Sequence, residues 1–175
     1  MIITKRICIL LALVVALSGC QNVGPENTNI LLGSGDRQEL ILNGRVSLPI
    51  PTRYDKIWLS KSSIIISQSD VSIGYRWIDK EEIEFIGSIK SPYDFFKGAF
   101  NSPSIDEEKR FIEGLGNIET YSYASANNLE FYHFDLVDKQ KIYILSDSLD
   151  FAIEVTSKGG SKKYLENITQ NSYIR

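Results

Sequence analysis

Histidine occurs once in these 175 residues and cysteine twice. A single imidazole, His133, rules out the multi-histidine clusters that hold catalytic zinc. The cysteines, Cys8 and Cys20, are too few for a disulfide framework. Basic residues are also short. Nineteen Lys and Arg face 22 Asp and Glu, for a formal charge of −3. An acidic chain is a poor partner for nucleic acid, whose phosphates are neutralised by a basic face. It is equally unsuited to electrostatic docking on anionic lipid. No Walker or dinucleotide fingerprint is present, and "GSG" at 33–35 is too short to cradle a phosphate. No cofactor is expected. There is no repeat of solenoid period and no low-complexity block.

What the sequence does contain begins at its start. Lys5 and Arg6 precede an apolar run from Ile7 to Leu17. That run is well short of the roughly 20 residues of a spanning helix. A basic start, an apolar stretch of this length and small residues after it make a secretory signal peptide. The run stops at Leu17-Ser18-Gly19-Cys20. These four residues resemble the lipobox of bacterial lipoproteins. The resemblance implies diacylglycerol transfer to the Cys20 thiol, cleavage after Gly19, and acylation (palmitate or a similar chain) of the new amino terminus. It covers about twenty residues and carries no information on the fold beyond them. Cysteine usage agrees, since Cys8 leaves with the signal peptide and Cys20 becomes the lone cysteine of the mature chain. Two or three acyl chains anchor stably where one does not. Loss of Lys5 and Arg6 takes the formal charge to −5. By the same resemblance, Gln21 in place of Asp directs the protein to the outer membrane, facing the periplasm, in a host that has one.

Residues 1–19 are therefore expected to be a cleaved signal peptide, 20–37 a lipidated N-terminus and tether, and 38–175 one globular domain. The tether is rich in Asn, Gly and Ser. As a flexible coil its ends would lie on the order of 20–25 Å apart. Within it, Ile30-Leu31-Leu32 has the character of a short edge strand.

The domain opens on a hairpin, with Asn43-Gly44 as its turn and Pro49 and Pro51 ending the ladder. "KIWLSKSSIIISQ" and "VSIGYRWI" read as β-branched and aromatic strands. "EIEFIGSI" reads as a further strand with Ile83, Phe85 and Ile89 as apolar anchors. The period then changes. Ser91 caps a helix that has Pro92 at its first position, and Phe96 and Phe100 share a face. Ser104 and Glu107 fit the capping box of a second helix, with Ile105, Ile112 and Leu115 on its apolar side. Three linked hairpins follow from Ile118 to Ser157, turning at Asn127-Asn128, Asp138–Gln140 and Ser148. "SKKYLENITQNSYI" forms a C-terminal helix. Segregated elements of this kind define the α+β class: a twisted antiparallel sheet with two central helices and a C-terminal helix on one face. The order loosely resembles the Mog1/PsbP-type sandwich, a likeness of fold that implies no function.

Three groups of residues are candidates for chemistry. His133 and Asp135 share a strand face, as two members of a hydrolytic triad would, but no serine sits in a nucleophile-elbow setting. Glu81, Glu82 and Glu84 offer clustered carboxylates of the kind used in glycoside hydrolysis. On a strand, Glu82 and Glu84 would face the same way and more simply protect a sheet edge. With one histidine and a lipidated cysteine, no metal site is expected. Third, Tyr121, Tyr123, Tyr132 and Tyr143 populate the hairpin series, and tyrosine is a favoured residue of binding surfaces. Phe95 would mark a contact site if exposed. The sequence thus leads to a membrane-anchored, non-catalytic module that binds an envelope protein. A small immunity or exclusion lipoprotein acting on a toxin or competing element is one alternative. A periplasmic hydrolase using His133 or the Glu81–Glu84 cluster is the other.

Overall fold

A computed structural model describes residues 31–32, 38–159 and 162–175. Gly19, Cys20 and most of the expected tether lie outside the described residues. Among those described, the elements run β1 (Leu31–Leu32), β2 (Glu39–Leu42), β3 (Val46–Pro49), β4 (Lys56–Leu59), β5 (Ser63–Gln68) and β6 (Val71–Ile78). Three helices follow: α1 (Lys80–Phe85), α2 (Pro92–Asn101) and α3 (Asp106–Gly114). Then come β7 (Ile118–Ala126), β8 (Leu129–Leu136), β9 (Gln140–Leu145), β10 (Ala152–Lys158), α4 (Lys162–Asn171) and β11 (Tyr173–Ile174). The content is α+β and the strand pairing is antiparallel.

The strands form two sheets. The larger has the order β4-β5-β6-β10-β9-β8-β7, and the smaller β1-β2-β3-β11. Local chemistry sets the hairpins. Asn43-Gly44 and Asn127-Asn128 take positive φ at both central positions, the geometry of the tight hairpin turn. The expected meander is β7 to β10, and β10 then closes against β6. Leu31 and Leu32 do pair as an edge strand, on β2.

Strands β8 and β9 are buried on both faces, which divides the core in two. Phe131, Ile142, Ile144, Ile153 and Val155 face the small sheet and α4, which contributes Leu165 and Ile168. Tyr132, Phe134, Tyr143, Leu145 and Ala152 face α1 and α2, with Phe95 and Phe96 of α2 packed on them. The helices are therefore not gathered on one face as expected. The N-terminal hairpin forms its own sheet, and α4 shares that sheet's side of the large one. Tyr75 of β6 and Tyr164 of α4 fasten this side, both donating to the Pro49 carbonyl at 2.9 and 3.1 Å.

Two local expectations are corrected. "EIEFIGSI" contributes a helix, not a strand. Asp79 caps α1 by accepting from the Glu82 amide at 3.0 Å, and Glu81 and Glu82 occupy the dipole-favoured first turn. Ile83 alone of the three supposed anchors is buried; Phe85 and Ile89 are over 90 % exposed. In α3 the capping carboxylate is Glu108, one residue later than expected. It accepts from the Ser104 and Ile105 amides at 2.8 and 3.3 Å. Phe111 and Leu115 are the residues of this region that pack against the core.

Candidate functional site

The four tyrosines of the hairpin series fall on one face of the large sheet. Tyr123 pairs with Tyr132, which pairs with Tyr143, so three of them form a row across β7, β8 and β9. Tyr121 lies two residues along, opposite Phe134. Exposure divides the set. Tyr121 and Tyr123 are 44 % and 52 % exposed, whereas Tyr132 and Tyr143 are buried. The reason is the reach of α2. Its Phe100 ring lies 4.9 Å from Tyr132 and 5.0 Å from Tyr143. Helix α2 covers β8 and β9 and stops short of β7. The expected four-tyrosine surface is thus half core. Tyr132 and Tyr143 are core residues, and Tyr121 and Tyr123 form the margin of an aromatic cluster that continues inward. Phe95 is buried and marks no contact site.

The buried phenols are polar groups that must be satisfied. Tyr132 donates to Glu130 at 2.9 Å and accepts from Asn101 Nδ2 at 3.1 Å. Burial is the main cause that pushes its pKa up to about 12, with Glu130 adding to the shift. Tyr143 donates to Glu154 at 2.7 Å, and burial next to that carboxylate raises its pKa far above the ordinary value. These bonds hold a structural framework beneath the helices.

β7 is the exposed edge. Its nine residues begin with a run of six exposed positions, Ile118 to Tyr123. It carries no lysine and no proline, and its one charge is Glu119, at a bulge in the pairing with β8. The opposite edge, β4, is four residues long and starts with Lys56. Short length and lysine are the usual guards of a sheet edge. β4 has both, although its own Trp58 and Leu59 are exposed, as is Ile65 of β5 beside it. β7 has neither, and its charge and bulge are confined to its start, so among the described residues Thr120 to Ala126 is the longer and less guarded edge.

On the other face of β7 a groove of about 480 Å³ runs between the strand and α4. His133 and Asp135 lie in it, as do Thr120, Ser122, Glu166 and Thr169. His133 therefore occupies a concave site beside hydroxyl groups. Its Nε2 is 3.1 Å from Thr169 Oγ1, and Ser122 is its cross-strand partner. Acyl transfer requires an imidazole that accepts the nucleophile's proton while a carboxylate orients its other nitrogen. Thr120 donates to one Asp135 oxygen at 2.7 Å and Gln140 to the other at 2.9 Å. The Thr169 hydroxyl also lies 3.2 Å from the Leu165 carbonyl, the back-bond common to helical threonine.

The glutamate cluster is dispersed by the change from strand to helix. Glu82 and Glu84 no longer share a face. Glu82 pairs with Arg76, Glu84 with Lys80, and Glu81 is exposed. Among the described residues no three His, Cys, Asp or Glu side chains converge on a possible metal position, and no helix is long and apolar enough to cross a membrane.

No protein family, no curated protein and no solved structure matches the chain.

Proposed function

We propose that this protein is a lipid-anchored component of the bacterial envelope that binds another protein along the β7 edge. The observation that carries the reading is the contrast between the two edges of the large sheet. β4 is short and begins with a lysine, while β7 is long, exposed, free of lysine and proline, and carries Tyr121 and Tyr123. An unguarded edge is a template for strand addition, in which main-chain bonds give affinity and side-chain sites give specificity. Attachment through acyl chains on Cys20 would place the domain at the membrane, in the periplasm and on the outer membrane of a host that has one. The Leu17-Ser18-Gly19-Cys20 resemblance supports that part.

Site-specific photo-crosslinking in cells tests the reading. A photoreactive residue at position 121 or 123 should give a discrete heterologous adduct. The same residue at Lys56 on β4 should not. Absence of adducts from both tyrosine positions would overturn it.

A further inference from the structure

The groove beside β7 carries a charge that narrows the partner. Among the described residues its two acidic side chains are Asp135 and Glu166, and no Lys or Arg lines it. Resting on the reading that β7 is a docking edge, we propose that the edge receives an extended basic segment of a partner protein. The added strand would lay lysine or arginine side chains along the Asp135–Glu166 groove.

The geometry supports this in three ways. A strand added to β7 would lie about 4.8 Å outside it, with side chains alternating between the two faces of the sheet. On one face they would meet Tyr121 and Tyr123, which suits apolar or aromatic residues. On the other face β7 carries Thr120, Ser122 and Ala124, all small. A long cationic stem can lie flat over such residues while its head reaches a carboxylate beyond them. Asp135 sits on the next strand inward and Glu166 on the helix that walls the groove. The acidic formal charge of the whole chain acts in the same direction, because opposite potentials speed encounter. A second copy of this chain is a poorer occupant. Its β7 would bring Glu119 and no cation to two acidic residues.

Two blocked octapeptides serve as probes, one alternating valine with lysine and one alternating valine with glutamate. Binding to the full chain in detergent is read by fluorescence anisotropy and by hydrogen exchange. The lysine peptide should bind about tenfold or more tighter than the glutamate peptide and weaken as salt rises. It should slow exchange at β7 amides and leave β4 unchanged. Asp135→Asn with Glu166→Gln, which keeps side-chain size, should remove most of that preference. Equal binding of both peptides with β7 protected would overturn the basic partner and leave the docking edge standing. Lysine-peptide binding without β7 protection, or no binding of either peptide, would overturn both. Protection of β7 that depends on protein concentration alone would assign the edge to a second copy and overturn the proposal.

Discussion

Tyr143 and Glu154 face each other across β9 and β10, and the phenol donates to the carboxylate at 2.7 Å in a layer sealed by α2. Lys141 reaches the other carboxylate oxygen at 2.9 Å, and Thr156 also donates to it. Burial works to raise the Glu154 pKa, but Lys141 and the hydroxyl donors outweigh it and hold it low. A carboxylate with a lowered folded pKa adds stability above its ordinary value, and that stability is lost as pH falls through the lowered one. Lys141→Met removes the main counterweight and leaves burial dominant. The variant should lose about 1–3 kcal/mol at neutral pH. The gap to the parent should narrow as Glu154 protonates in acid. Urea denaturation at neutral and acidic pH checks this, and a gap independent of pH would contradict it.

Gly98, inside α2, gives a prediction of unusual sign. An alanine in a helix interior is normally better than glycine by about 1 kcal/mol. Here an added Cβ would lie 2.4 Å from Glu108 Oε1 and 3.0 Å from its Cδ. Glu108 cannot swing aside cheaply, because it is fully buried and held by Lys90 and by the Ser104 and Ile105 amides. Gly98→Ala should therefore destabilise by about 1–3 kcal/mol, the usual cost of overpacking. In a thermal-unfolding double-mutant cycle with Glu108→Ala, the clash should vanish, so the two substitutions should be strongly non-additive. Stabilisation by Gly98→Ala alone would refute the packing described.

The deeply buried phenols predict a limit in alkali. Burial raises the pKa values of Tyr75, Tyr143 and Tyr164 well above the ordinary phenol. A group whose folded pKa is raised contributes fully below its unfolded value, about 10, and loses that contribution as pH rises. These three should ionise together with loss of the fold rather than singly. Tyrosinate absorbance and circular dichroism, followed in one alkaline titration, should show a shared transition. Ionisation of all nine tyrosines with the fold intact would contradict it.

Tyr123 lies at the outer margin of the aromatic row and is half exposed. Tyr123→Lys should change stability by no more than about 0.5 kcal/mol, as surface substitutions usually do. The same change should reduce strand addition at β7, because lysine guards an edge. Thermal unfolding and partner crosslinking should therefore separate. A large fall in melting temperature would show that Tyr123 belongs to the core.

Cys20→Ser tests the anchor. The variant should keep its signal peptide uncleaved at Gly19 and carry no acyl chains. Mass spectrometry of the parent should find a chain starting at an acylated Cys20. A parent chain with a free thiol at that position would remove the membrane attachment from the proposal.

The class of the fold and most of its strands were legible because local chemistry sets them. Asn43-Gly44 and Asn127-Asn128 specify tight turns through positive φ. Ser91 and Pro92 start α2, and the Ser91 hydroxyl does accept from the Asp94 amide at 3.1 Å. The α1 stretch reads locally as a strand because apolar residues at 83, 85 and 89 mimic alternation. Its true signal was Asp79 three residues ahead of Glu82. In α3, adjacent glutamates at 107 and 108 left the register of the cap ambiguous. The tyrosine row divides into core and surface for a related reason. Alternation gives the face of a sheet a residue occupies, and it says nothing of how far a helix extends across that face.

By itself the sequence determined the apolar run that precedes Cys20, the acidic balance, the hairpins and the α+β class, since each follows from neighbours along the chain. Tertiary structure alone decided that Tyr132 and Tyr143 are core while Tyr121 and Tyr123 are surface. It also decided that His133, Asp135 and Glu166 share a groove, and that β7 ends the large sheet among the described residues. Those outcomes depend on where α2 ends and where α4 docks. Both are set by packing between residues far apart in the chain, which no local pattern encodes.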